Sequence, residues 1–140
     1  MKQYSGRVTL RGRADWTKHF WVSAGLVVLA NGVLSDVVGV MKEGIDSTSG
    51  SGFSFADLLA DRAGTMFAMA ATRDAAAARR MQDRLANGVR IDDIFPSARG
   101  LPEGISAAVL ERDYGGIGGA GYRLMLKEID RRLATCRGRQ

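Results

Sequence analysis

Residues 54–71, SFADLLADRAGTMFAMAA, decide the fold expected for this sequence, because a helix start signal precedes a long helical apolar pattern. Ser54, with Asp57 three residues later, fits a capping box, in which the serine side chain accepts a backbone N–H of the first turn. Leu58 and Leu59 then begin the apolar set. The segment therefore predicts a helix that starts at Ser54 and packs one face against a core.

A second helix is predicted upstream, with Asp15 as its N-cap. From Phe20 to Met41 it is strongly apolar, which suits a buried or interface helix and is also long enough for a membrane span. Asp36 within this run is costly in lipid and favours the buried helix. The turn STSGSG at 47–52 joins the two helices into a central antiparallel hairpin.

Glycines recur along the apolar helix. Gly25, Gly32 and Gly39 are seven residues apart and fall near one face. A stripe of small residues lets another helix approach closely, in water or in lipid. We therefore expect a protein partner or self-association through this helix, with membrane association as a second interpretation.

The rest of the chain extends the helical prediction. Residues 73–86 are rich in alanine and form a third helix, or continue the second, with Gly88 as its C-cap. Residues 89–104 hold both prolines and form a connector. Residues 105–111 predict a short helix, and 122–135 an amphipathic helix whose apolar set includes Leu124, Leu126, Ile129 and Leu133.

This organisation predicts one all-α domain over residues 1–140. It comprises an N-terminal arm at 1–14, a helical core at 15–88, and a connector plus C-terminal helix at 89–140. Ile91, Ile94 and Phe95 are expected to anchor the connector to the core.

Composition limits the partners and compartments that the chain suits. The net charge of +5 favours anionic partners, but the basic residues are spread out and are not interleaved with aromatic side chains, which argues against a nucleic acid. The single cysteine, Cys136, excludes an internal disulfide and reads as a small apolar residue of the last helix. The polar start MKQYSGRVTLRGR has no apolar core of a signal peptide.

A cluster of polar side chains lies on the two central helices and forms the candidate site. Its members are His19, Ser23, Lys42, Glu43, Asp46, Asp57 and Asp61. Helical spacing places Glu43 with Asp46, and Asp57 with Asp61, on shared faces. A continuous helix from His19 to Glu43 would span about 36 Å at about 1.5 Å per residue. His19 is therefore expected to lie far from the carboxylates, unless that helix breaks and folds back.

Two interpretations of this cluster stay open. The carboxylates offer oxygen ligands for a divalent metal, and His19 would add a general acid or base, with Asp15 orienting it towards Ser23. In the structural interpretation, Asp57 caps its helix, Arg62 and Lys42 neutralise carboxylates, and Asp61 bonds across the hairpin. No established catalytic motif favours the first interpretation, and no cofactor other than a divalent metal is indicated.

The glycines Gly116, Gly118 and Gly121 formally satisfy GxGxxG and precede a helix. A dinucleotide site would also need a preceding strand and an acidic residue about 20 positions later. The sequence shows neither, so a turn that packs closely on a neighbour is expected.

The motifs around the central helices resemble the YfiM-type family of small bacterial lipoproteins. The stretches KHFWVSA and GVMKEGIDSTSGSGFSFADLLADRAG carry the likeness, over about residues 16–70. The matching positions are His19, Phe20, Ser23, Ala24, Lys42, Glu43, Asp46, Ser47, Gly50, Ser51, Gly52, Phe53, Ser54, Phe55, Asp57, Leu58, Asp61 and Gly64. The pattern is also distantly similar to VanZ-type membrane proteins.

The resemblance implies a helical protein associated with a bacterial envelope and implies no reaction. The leading functional prediction is therefore a non-enzymatic structural or interaction protein of an envelope or larger assembly. A component of a phage virion is one alternative. A divalent-metal-dependent hydrolase built on the acidic residues of the candidate cluster is the other.

Overall fold

A computed structural model describes residues 8–29 and 52–137 of the chain. These residues form six helices and no strand, so the predicted all-α class is confirmed. The helices are α1 (Ala14–Leu29), α2 (Phe55–Thr72), α3 (Ala75–Ala86), α4 (Ile91–Ile94), α5 (Ala107–Tyr114) and α6 (Ala120–Arg137). The predicted continuation of the first helix beyond Leu29 lies outside the described residues.

Helices α1 and α2 pack directly against each other and run in the same direction. Asp15 in the first turn of α1 has a carboxylate oxygen within 4.8 Å of one on Asp57, in the first turn of α2. Ser23, two turns after Asp15 on α1, donates a hydrogen bond to Asp61, one turn after Asp57 on α2. Contacts thus advance along both helices together. The predicted antiparallel direction is therefore wrong. That prediction assumed one long first helix joined to the next by a short turn, an arrangement that would make the two helices antiparallel.

Gly64 explains how closely the two helices approach. A Cβ placed on this residue would lie 2.0 Å from the carbonyl oxygen of Phe20. Only glycine therefore fits at this crossing, and its lack of a side chain lets the α1 backbone lie directly on α2. Gly25, a member of the predicted glycine stripe, has open space around its Cβ position. Gly32 and Gly39 lie outside the described residues.

Aromatic rings fill the core around these two helices. Phe20, Phe53, Phe55 and Phe95 are fully buried. Phe20 lies between the rings of Phe67 and Phe95, and Phe53 and Phe55 pack on Tyr122 of α6. The predicted anchoring of the connector is confirmed for Phe95. It is wrong for Ile91, which is 36% exposed.

The start of α2 matches the sequence prediction. The Ser54 side chain accepts the backbone N–H of Asp57 at 3.0 Å. The N-cap of α2 is therefore Ser54. The structural interpretation, in which Asp57 caps the helix, is wrong on this point. The alanine-rich third helix is separate from α2, because Asp74 accepts the N–H of Ala77 and starts α3.

The C-terminal part closes over the core through α5 and α6. Ser106 caps α5, and Gly115 ends it in the left-handed conformation that glycine adopts without strain. On α6, Tyr122, Ile129, Leu133 and Cys136 are buried, which confirms the amphipathic helix and the apolar reading of the cysteine. Leu124 is 65% exposed, so its place in the apolar set was wrong.

Candidate functional site

The α1–α2 interface brings together four members of the predicted polar cluster. His19 Nδ1 lies 3.0 Å from Asp61 Oδ1, and the Ser23 hydroxyl donates to the same oxygen at 3.0 Å. On the other side of the imidazole, Nε2 lies 3.4 Å from Asp57 Oδ2. His19 is thus held between two carboxylates, one from each of the first two turns of α2.

Helical periodicity and parallel packing together produce this arrangement. His19 and Ser23 are four residues apart on α1, and Asp57 and Asp61 are four apart on α2, so each pair lies on one face. Because the helices are parallel, successive turns of α1 meet successive turns of α2. The close contact at Gly64, one turn after Asp61, keeps these short side chains within hydrogen-bonding distance.

The predicted separation of His19 from Asp57 and Asp61 is therefore wrong. It assumed that the carboxylates lay at the far end of the first helix, whereas the first turns of α1 and α2 are side by side. The orienting carboxylate of His19 is Asp61 and not Asp15, because Asp15 pairs with Arg13.

Burial distinguishes this network from surface ion pairs. The side chains of His19 and Asp61 are 7% and 6% exposed, and that of Asp57 is 18% exposed. Burial raises the pKa of Asp57, against the opposing effect of the neighbouring His19. No described donor reaches Asp57 Oδ1 or Asp61 Oδ2, although both atoms are buried. The network therefore retains unused acceptor capacity.

A second acidic group shares Asp57 with the first. Carboxylate oxygens of Asp15, Asp57 and Glu103 all lie within 4.8 Å of one another. Arg13 donates forked hydrogen bonds to Asp15 and to Glu103, and both raise the pKa of Arg13. The bonds to Asp15 also lower the pKa of Asp15. The mutual proximity of three carboxylates also contributes to the raised pKa of Asp57.

Sequence reasoning did not find Glu103 or the role of Arg13. Glu103 follows Pro102 in the connector and reaches the start of α2 because Phe53 and Ile105 pair through their backbones. No spacing rule relates a residue in a connector to a helix that begins almost fifty positions earlier. The contact depends on how the connector crosses the core.

The remaining members of the predicted cluster fall elsewhere. Lys42, Glu43 and Asp46 lie outside the described residues, so their membership stays a prediction. Arg62, expected to neutralise the cluster, instead donates to Asp130 of α6 at 2.7 Å.

The glycine-rich segment forms the turn between α5 and α6. It follows a helix and not a strand, so the context of a dinucleotide site is missing. A Cβ on Gly119 would lie 2.3 Å from backbone oxygens of Tyr114 and Gly115. The expected closely packed turn is thus confirmed.

Among the described residues, no helix combines the length and apolar character that a membrane crossing needs. Comparison with known protein families, with curated proteins and with solved structures finds no match to this chain. The resemblance to YfiM-type and VanZ-type proteins stays a prediction.

Proposed function

We propose that this chain is a non-enzymatic structural or interaction protein that binds a partner through an apolar face of α1. The observation that carries the proposal is the orientation of that helix. Its polar residues His19 and Ser23 are buried against α2, whereas Trp21, Val28 and Leu29 are 53%, 67% and 83% exposed.

Four exposed apolar residues define one side of this helix, which we call the α1 apolar face. It comprises Trp21, Val22, Val28 and Leu29, and their spacing places them along one side of the helix. Contiguous exposed apolar side chains are typical of protein or membrane interaction sites. A protein partner or a second copy is the leading occupant, and a lipid surface is the alternative.

Burial of the polar network supports a structural role for that network. With side chains about 6–7% exposed, His19 and Asp61 offer little access to a substrate. Their hydrogen bonds instead fix the register of α1 on α2, which determines the direction in which the α1 apolar face points. The setting we propose is a bacterial envelope, as the resemblance implies, or a larger assembly such as a phage particle.

The test compares two charge insertions of the same kind. Val28→Glu places a carboxylate on the α1 apolar face, and Leu124→Glu places one at an equally exposed apolar position of α6. We expect wild type and Leu124→Glu to self-associate or to float with lipid vesicles, and Val28→Glu to do neither. Light scattering, with and without detergent, and vesicle flotation measure this.

Equal behaviour of the two variants, or a wild type that stays monomeric and free of vesicles, would contradict the proposed interaction through α1. Circular dichroism of each variant checks that the helices are retained.

A divalent-metal-dependent hydrolase is the second candidate function. The observation that favours it is the carboxylate trio Asp15, Asp57 and Glu103, with His19 beside Asp57 and an unused buried oxygen on Asp57. Carboxylate oxygens suit Mg²⁺, Mn²⁺ or Ca²⁺, and a nearby imidazole suits proton transfer to or from a metal-bound water.

Calorimetric titration with Mn²⁺ tests this candidate. Saturable binding in wild type and in Asp130→Asn, with its loss in Asp57→Asn and Glu103→Gln, would support it. The Asp130 control removes one carboxylate charge from an exposed ion pair on α6. Binding that is absent, or that is equally weakened in all three variants, excludes the metal site.

A further inference from the structure

A cavity of about 340 Å³ lies between the loop that follows α4 and the second half of α6, on a different part of the molecule from the α1 apolar face. Most of the residues that line it are polar or basic by type, and no residue of the candidate cluster takes part. The lining residues are Pro96, Ser97, Arg99, Arg131, Arg132 and Thr135.

Arg132 lines this cavity and is held by three hydrogen bonds. Its Nη1 donates to the carbonyl oxygens of Ser97 and Arg99, both at 2.9 Å, and its Nε donates to Glu128 at 2.7 Å. These contacts join the loop to α6 and fix the guanidinium before any ligand arrives. A preorganised cation loses little conformational entropy on binding an anion.

The other two arginines add positive charge that the single carboxylate of Glu128 does not balance. Arg131 shares Glu128 with Arg132, and these two arginines lower the pKa of Glu128 to about 2, so the carboxylate stays ionised. Among the described residues, no hydrogen-bond acceptor is recorded for the side chain of Arg99. Among the described residues, the three arginines of the lining and their one carboxylate partner, Glu128, together carry two net positive charges.

We propose that this cavity binds a small phosphate-bearing molecule. Arginine forks match the oxygen geometry of a phosphate, and two net positive charges balance a phosphate dianion. The Ser97 hydroxyl accepts the backbone N–H of Arg99 at 3.2 Å, which leaves its own proton available to a phosphate oxygen. The volume suits a phosphate monoester better than a bare ion.

The experiment titrates the whole chain with inorganic phosphate and with phenyl phosphate, by calorimetry at constant ionic strength. We expect saturable binding of both, tighter for the ester. Arg99→Gln and Arg131→Gln should each weaken binding by about tenfold, because each removes a charge-assisted hydrogen-bond donor. Glu128→Gln should strengthen binding, because it removes the negative charge that pairs with Arg131 and Arg132, while the Arg132 bonds to the Ser97 and Arg99 carbonyl oxygens remain.

Arg79→Gln is the matched control, since it removes the same charge from an exposed position on α3, far along the chain from the cavity. It should leave phosphate affinity unchanged. No saturable binding of either probe, an equal loss in Arg79→Gln, or weaker binding in Glu128→Gln would each overturn the phosphate site. The outcome is independent of the α1 apolar face, whose residues lie outside this cavity.

Discussion

Helices α1 and α6 differ in the kinds of side chain that they bury. On α6 the apolar residues Ile129 and Leu133 are buried, and charged residues such as Arg131 face solvent. On α1 the polar residues His19 and Ser23 are buried alongside Phe20, while other apolar residues of the same helix are exposed. An amphipathic pattern therefore predicts most of the buried face of α6. On α1 the same pattern would place His19 and Ser23 on the exposed side, where they do not lie.

The difference lies in what each helix packs against. Helix α6 covers an apolar core, so an apolar side chain at each of its buried positions stabilises the folded state most. Helix α1 meets two aspartates of α2, and a buried carboxylate is tolerated only where hydrogen-bond donors reach it. His19 and Ser23 are those donors. The comparison teaches that a polar pattern on one helix can be complementary to a polar pattern on another.

The largest expected effect comes from the contact that sets the α1–α2 distance. Gly64→Ala would place a methyl group 2.0 Å from the Phe20 carbonyl oxygen, so the helices must separate. We expect the free energy of unfolding to fall by about 3 kcal/mol, measured by urea denaturation. Gly25→Ala is the control, since it has open space and should be neutral or stabilise α1. Equal effects of the two substitutions would contradict the close helix contact.

The next effect concerns the polar network itself. Asp61→Ala removes the acceptor that His19 and Ser23 share, and we expect a loss of about 2 kcal/mol in the free energy of unfolding. Asp130→Ala removes an exposed partner of Arg62 and should cost under about 1 kcal/mol. If the two losses are equal in thermal and urea denaturation, the network contributes no more than a surface ion pair.

The buried Asp57 should also make the free energy of unfolding depend on pH. Because burial raises its pKa above 3.8, the folded state binds this proton more tightly than the unfolded state. The stability this confers is present below pH 3.8 and is lost as the pH rises through the raised pKa. Relative to wild type, Asp57→Asn should therefore gain stability as the pH rises through that window.

Asp113 supplies a control of opposite sign. Its hydrogen bonds to Arg112 lower its pKa, so the stability it confers is present above pH 3.8 and lost on acidification. Asp113→Asn should lose stability relative to wild type as the pH rises towards and past 3.8. Denaturation at a series of pH values measures both differences. The same sign for both variants would refute the effect of burial on Asp57.

The smallest expected effect is on α6. Glu128→Gln removes ion pairs with Arg131 and Arg132 that lie at least partly in solvent, which screens the attraction. We expect a thermal midpoint close to that of wild type. A loss of stability as large as that caused by Asp61→Ala would contradict this. It would show that the ion pairs of Glu128 stabilise the fold as much as the buried network of α1 and α2 does.

The sequence by itself determined the helices and part of the site. Local signals suffice for the cap at Ser54 and for most of the buried face of α6, since each depends on neighbours within a few residues. Helical spacing also paired His19 with Ser23, and Asp57 with Asp61. These features follow from backbone geometry and hold in any tertiary arrangement.

Tertiary structure alone decided how those pairs meet. The parallel direction of α1 and α2 depends on the path of the chain between them, and the close contact at Gly64 depends on which turn of α1 lies over it. Glu103 reaches Asp57 through a connector, and Arg99 reaches the cavity beside α6 in the same way. Contacts between residues far apart in the chain are set by packing of the whole core, and no local pattern of residues encodes them.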